Sequence, residues 1–227
     1  MAAPVVSHGP VDAPARASLE AGLKHSALPR RALPWLMGGW LVASVLGLGL
    51  VWSHASAAGL GATPPSRLPE RFPRTPGTWT LFVLLHPQCP CSRATLAELA
   101  KLLDREGARL ATRVFVWAPR QAPPGFERSE LWTRALALPG AQVVADVDGA
   151  VARELGVSTS GQVVLYSPDG VERFSGGITP ARGHEGDSAG AGAIRDLLRA
   201  DASRVATAPV FGCALQTPSA ASSGENP

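Results

Sequence analysis

Two cysteines one residue apart, Cys89 and Cys91, flank Pro90 in the stretch His86-Pro87-Gln88-Cys89-Pro90-Cys91-Ser92, and a third, Cys213, lies near the end of the chain. The apolar run 79–85 precedes the pair and leucines at helical spacing, Leu96, Leu99, Leu102 and Leu103, follow it, so the cysteines fall where a buried strand gives way to a helix. A helix start leaves backbone N–H groups unpaired and carries partial positive charge, which stabilises a thiolate and lowers its pKa from the usual value of about 8.5. Cys89 and Cys91 are both candidate nucleophiles on this ground. A Cys-x-Cys ring is short, strains disulfide geometry and is easily reduced. Cys213 offers a second route, resolving an adduct on the nucleophile in place of its neighbour. Three cysteines leave one unpaired in any closed state, which favours exchange over a structural bridge.

Two other chemistries fit the same residues. Soft thiolates at close spacing suit Cu(I), with His86 as a nearby third donor, so copper is the one cofactor the sequence admits. No second Cys-x-x-Cys and no spaced His pair exists for a closed zinc site. In a peroxidase reading, one thiolate becomes a sulfenic acid that Cys213 resolves; Arg93 follows the cysteines, but on the helix side. His184, with Glu185 and Asp187, sits in a long Gly-rich segment from Gly176 to Gly192. That segment reads either as a loop folded over the cysteines, with His184 as an acid or base, or as a solvated loop in which Asp187 or Ser188 caps the next helix.

The elements that must hold these residues occupy only part of the 227 residues, because 24 Gly and 21 Pro mark turns and linkers. Residues 1–33 form a polar, Pro/Ala-rich tail. Residues 34–53 lie in an uncharged apolar run long enough to cross about 30 Å of hydrocarbon. Arg16, Lys24, Arg30 and Arg31 precede the run and the next basic residue is Arg67, so the positive-inside rule keeps the N-terminus cytoplasmic and exports the rest. Ala55-Ser56-Ala57 also fits a signal cleavage site, but the preceding tail is long for a cleaved signal, and the segment reads as an anchor. Residues 54–76, with five prolines, read as a stiff spacer. Residues 77–205 form the folded domain and 206–227 a flexible tail carrying Cys213.

Within the domain the pattern predicts strands at 79–85, 108–117, 141–145, 162–166 and 171–174. Helices are predicted at 92–105, 126–138, 150–155 and 191–202. Ser167-Pro168-Asp169-Gly170 supplies the hairpin turn, and Asp146 or Asp148 the cap of the short helix at 150. Strand–helix alternation followed by a hairpin gives an α/β fold with a mixed sheet and helices on both faces. A net charge of +3 with no basic run longer than Arg30-Arg31 excludes a nucleic-acid partner.

The strand-then-cysteine-helix unit resembles the thioredoxin superfamily, in particular its membrane-tethered periplasmic members. The stretch Asp146-Val147-Asp148-Gly149, the helix that ends in Gly156-Val157, the following strand and Pro168-Asp169-Gly170 extend that resemblance over about residues 70–205. Cys-Pro-Cys-Ser together with 176–187 is similar to a bacterial subset labelled RedB-like. The resemblance implies a thioredoxin-like sheet behind one transmembrane helix, thiol-disulfide exchange with a redox partner protein, and a bacterial inner-membrane location with the domain in the periplasm. It also implies that Pro90, Ser160 and Gly161 contact substrate. The sequence departs from the family's Cys-x-x-Cys, since Gln88 takes the first position if Cys91 takes the last. It departs again where the family carries a cis-proline, because Gly161 occupies that place.

Overall fold

The computed structural model describes residues 31–200 and 206–215. The chain divides into two compact units, residues 1–51 and 52–227. The described part of the first is the body of helix α1, Leu33–Ser56, which is free of Asp, Glu, Lys and Arg and contains no buried residue. Its 24 residues rise about 36 Å at 1.5 Å each, enough for a bilayer core. It is the one helix among the described residues long and apolar enough to cross a membrane.

The second unit is a six-stranded mixed sheet. In chain order its elements are β1 (Trp79–Leu85), α2 (Pro90–Glu106), β2 (Leu110–Ala118), α3 (Glu130–Leu136), β3 (Ala141–Val147), α4 (Ala150–Glu154), β4 (Gln162–Tyr166), β5 (Glu172–Gly177), α5 (Ala189–Ala200) and β6 (Ala206–Thr207). The strand order is β3-β2-β1-β4-β5-β6. β1 runs parallel to β2 and antiparallel to β4, β2 is parallel to β3, β4 is antiparallel to β5, and β5 is parallel to β6.

β1 is buried along its whole length, as a central strand with both faces covered must be. Its alternation divides the core. Trp79, Leu81, Val83 and Leu85 pack with Leu96, Leu99 and Leu103 of α2, Leu131 of α3 and Ile194 of α5, whereas Phe82 and Leu84 face Phe115, Val151, Leu155 and Tyr166 on the other side. Each fully buried Leu or Phe contributes about 1.5–3 kcal/mol, so this strand holds the site's base firmly. The buried Asp146 carboxylate accepts the Val151 and Ala152 amides at 2.7 and 3.1 Å and so fixes the start of α4. Asp148 sits at φ 52° and accepts the Arg120 amide instead.

Two segments differ from the sequence expectation. Residues 57–76 are not a spacer standing off the domain. Leu68 N–H donates to Gly170 O and Glu172 N–H to Ser66 O, and Phe72 packs on Phe82 and Phe115 with centroids 4.8 and 5.9 Å apart. Prolines forbid regular elements here but not side-chain burial or isolated backbone bonds. Residues 206–215 are not a flexible tail either: Ala206 and Thr207 extend the sheet beside Phe174 and Ser175, and the chain continues over the cysteines. Side-chain-free Gly176 and Gly177 allow this, since a Cβ on either would lie within 3.0 Å of the backbone at 208–210. Residues 216–227 lie outside the described residues, as do the N-terminal tail up to residue 30 and residues 201–205.

Candidate functional site

β1 ends at Leu85 and the chain turns through His86-Pro87-Gln88, with Cys89 N–H donating to His86 O at 3.2 Å. Pro90 opens α2 at the position where its missing N–H costs nothing and its fixed φ suits the helix. The helix thus begins two residues earlier than the leucine spacing indicates, and Cys89 becomes its N-cap residue. The Ser92 hydroxyl accepts the His86 amide at 3.1 Å and ties the turn to the first helical turn.

The three cysteines converge as free thiols. Cys213 Sγ lies 2.8 Å from Cys89 Sγ. The Cys91 thiol, followed by the Cys213 thiol, the Ser160 hydroxyl and the Ser92 amide, holds Cys89 well below the usual thiol range, against a desolvation that works the other way. Cys91 is pushed up because it donates to Cys89 and is desolvated. Cys213 is also raised, by burial first and then by its contact with Cys89, with Arg182 opposing. The three contacts favour ionisation of Cys89 over that of Cys91 and Cys213.

Cys89 and Cys91 are 1% and 6% exposed, while Cys213 is exposed. Neither buried cysteine belongs to the two hydrophobic clusters. The Cys213 sulfur lies on Cys89, and a Gly183 backbone hydrogen bond reaches Cys91. The sulfurs are poised at the helix start but covered rather than open.

Ser160 is fully buried and holds Cys213 in place, donating its N–H to Cys213 O at 2.8 Å and accepting the Cys213 N–H on Oγ at 3.1 Å. Gly161 donates to Leu84 O at 2.7 Å and adopts φ +83°. Proline, locked near −65°, cannot take that conformation, which explains why glycine stands there. No cis peptide occurs among the described residues. Pro90 faces the loop at Gly183, where an added Cβ would come within 4.0 Å of its ring.

His184 is exposed, with Nδ1 2.7 Å from Arg182 O. The loop around it does lie over the cysteines, fastened to α2 by the Gly186 N–H donating to Glu98 Oε1 at 2.7 Å. Its contacts with the cluster, however, come from Gly183 and from Arg182. Arg182 donates to Gly212 O at 3.0 Å and to Ala57 O at 3.1 Å. Sequence reading missed Arg182, since its partners lie 30 and 125 positions away and leave no local pattern. Ser188, not Asp187, caps α5 by accepting the Ala191 amide at 3.2 Å. Arg93 pairs with Glu130 at 3.7 Å.

His86 stacks on Trp117 at 5.0 Å and accepts the Gln88 amide on Nδ1, and burial lowers its pKa. Among the described residues no group of three or more His, Cys, Asp or Glu is arranged to hold a metal ion.

A cysteine-bearing helix start after the central strand, a second parallel strand, then an antiparallel hairpin and a closing helix on a mixed sheet reproduce in space the order of elements that the motifs predicted. The fold is thioredoxin-like. An uncharacterised conserved protein from Geobacillus kaustophilus superposes on this thioredoxin-like domain with a TM-score of 0.54 at 16% identity, over 72% of this chain and 94% of that one. A hypothetical protein from Sinorhizobium meliloti 1021 gives 0.52 at 20% identity, over 71% and 96%. A secreted disulfide oxidoreductase of Mycobacterium tuberculosis gives 0.39 at 13% identity, over 55% and 83%. No family model matches the chain, and no curated protein matches it.

Proposed function

We propose that the protein is a membrane-tethered thiol-disulfide oxidoreductase whose thioredoxin-like domain works on the non-cytoplasmic side of a bacterial inner membrane, with Cys89 as nucleophile and Cys213 as resolving cysteine. The observation that carries this reading is the 2.8 Å approach of Cys213 Sγ to a Cys89 sulfur whose pKa is lowered. The apolar helix α1 and the basic residues before it support the tether and its orientation.

The Cys89 thiolate attacks one sulfur of a partner disulfide, forming a mixed disulfide and expelling the other half as a thiolate. Cys213 then attacks Cys89 Sγ, the bond to the partner breaks, and the proton of Cys213 passes to the departing sulfur. Two electrons have moved from the Cys89–Cys213 dithiol to the partner. The thiol of Cys91 remains beside Cys89 and stabilises its charge before and after exchange.

The test is a trapping experiment on the full-length protein in detergent with a disulfide-containing peptide. Cys213→Ser is expected to accumulate the mixed disulfide at Cys89, and Cys89→Ser to form none. Rapid turnover by Cys89→Ser overturns the assignment.

A further inference from the structure

Residues 209–215 cross the cysteines as an extended segment held mainly through backbone. Ser160 N–H donates to Cys213 O and Leu215 N–H to Ser158 O, each at 2.8 Å, and Thr159 and Ala214 form an antiparallel bridge between them. Gly59 N–H donates to Val210 O at 2.8 Å. Side chains of the segment matter at three places. Val210 and Leu215 are each 1% exposed, seated in sockets of the domain. Gly212 lies against Ser160, where a Cβ would come 1.9 Å from the Ser160 carbonyl oxygen. A backbone atom anchored between β1 and the helix start cannot give way by that much, so the residue before the cysteine must have no side chain.

These features do not require the occupant to be covalently part of this chain. Backbone bonding reads any extended polypeptide, the sockets read apolar side chains, and the Ser160 wall reads glycine. We propose that this groove is a docking site for an extended partner segment that carries glycine directly before its reactive cysteine and an apolar residue two positions after it, with residues 210–215 as the internal occupant. This rests on thiol exchange at Cys89 and names the polypeptide that takes part in it. The partner segment, its cysteine held in a disulfide, enters as the internal one leaves, and its cysteine sulfur is delivered to Cys89 in the register now held by Cys213. The Cys89 thiolate attacks that sulfur, the partner's own disulfide breaks with its other sulfur leaving as a thiolate, and the mixed disulfide forms. Return of residues 210–215 brings Cys213 back onto Cys89 Sγ, the Cys89–partner bond breaks, the partner sulfur leaves with its electron pair and takes up the Cys213 proton, and the groove is refilled in the same step. Tethering gives the internal segment an effective concentration on the order of millimolar, so it outcompetes a free segment of equal intrinsic affinity until that segment is held covalently.

The experiment measures binding without chemistry. A fluorescently labelled peptide Pro-Val-Phe-Gly-Ser-Ala-Leu, which copies residues 209–215 with serine in place of cysteine, is titrated into the full-length protein in detergent and compared with the same peptide carrying alanine for glycine. In the Gly212→Ala protein the internal segment no longer fits against Ser160 and the groove is vacated. The expected result is at least tenfold tighter binding of the glycine peptide to Gly212→Ala than to the unmodified protein, and at least tenfold weaker binding of the alanine peptide to that variant. Equal binding of both peptides, or binding of neither, overturns the proposal. If Gly212→Ala fails to fold, Arg182→Ala carries the comparison, because it removes the Nη1 bond to Gly212 O and the Nε bond to Ala57 O while leaving the backbone bonds of the groove at Ser158 and Ser160 in place. Severalfold tighter binding of the glycine peptide to that variant supports the docking site, and affinity unchanged from the unmodified protein overturns it. Glycine-selective binding by a protein whose Cys89 exchanges no disulfide retains the groove and removes the redox function; exchange without glycine preference does the reverse.

Discussion

Cys213 Sγ lies 2.8 Å from Cys89 Sγ although 124 positions separate the two residues, while Cys91, two positions from Cys89, contributes a hydrogen bond that keeps the Cys89 charge in place. Oxidation of the folded protein is therefore expected to join Cys89 to Cys213 in preference to Cys91. Peptide mapping by mass spectrometry after brief diamide treatment reads the linkage directly. A dominant Cys89–Cys91 link would contradict this pairing.

The lowered pKa of Cys89 predicts one thiolate in the reduced protein at pH 6–7, where an ordinary thiol is ionised to no more than about a few per cent. Absorbance at 240 nm should show it and should disappear in Cys89→Ser. The unfolded chain keeps this proton up to about pH 8.5 whereas the folded chain has released it, so the unfolded state binds more protons between the lowered folded value and the ordinary one. Stability relative to Cys89→Ser therefore rises with pH across that window and is lost as pH falls toward the folded value. Urea titrations at several pH values give the slope.

Restoring the family's residue with Gly161→Pro should harm the protein. It demands φ near −65° where the chain holds +83°, and it deletes the donor to Leu84 O. The expected loss is about 3 kcal/mol or more in urea unfolding. Gly161→Ala should cost less, about 1–3 kcal/mol, from the left-handed backbone and the 2.8 Å approach of a Cβ to Thr95 Oγ1. Unchanged midpoints for both would contradict this account of the glycine.

Phe72 ties the Pro-rich segment to the aromatic cluster of Phe82, Phe115 and Tyr166. Phe72→Ala is expected to destabilise the domain by about 2 kcal/mol, below the usual 3–5 for a fully buried Phe because Phe72 is only half-buried. A chain beginning at residue 77 should lose more than this relative to one beginning at 58. Circular dichroism melts of the two would show it, and equal melting temperatures would return residues 58–76 to the status of a spacer.

Much of the fold was legible locally. The apolar run at Trp79–Leu85, the leucine spacing after Ser92 and the Ser167–Gly170 turn each report on neighbours within a few residues, and each element formed where expected within a few positions. Boundaries shifted where tertiary pairing extended an element: β3 runs on to Val147 because Ala118 offers it a partner, and β5 runs to Gly177 opposite Gln162. Pro90 at the first helical position was readable as a helix start, yet the leucine pattern drew the boundary two residues later. Arg182 and the coverage by residues 209–215 were not readable, because their partners lie far along the chain.

Side-chain chemistry and period alone determined that a thiol pair stands at a strand-to-helix junction, that an apolar helix precedes it, and that the domain is α/β. Which sulfur faces Cys89 was decided only by the tertiary structure. Chain closure over 124 positions depends on where the glycines at 161, 176, 177 and 212 let backbones approach, and a missing Cβ signals room without saying what will fill it.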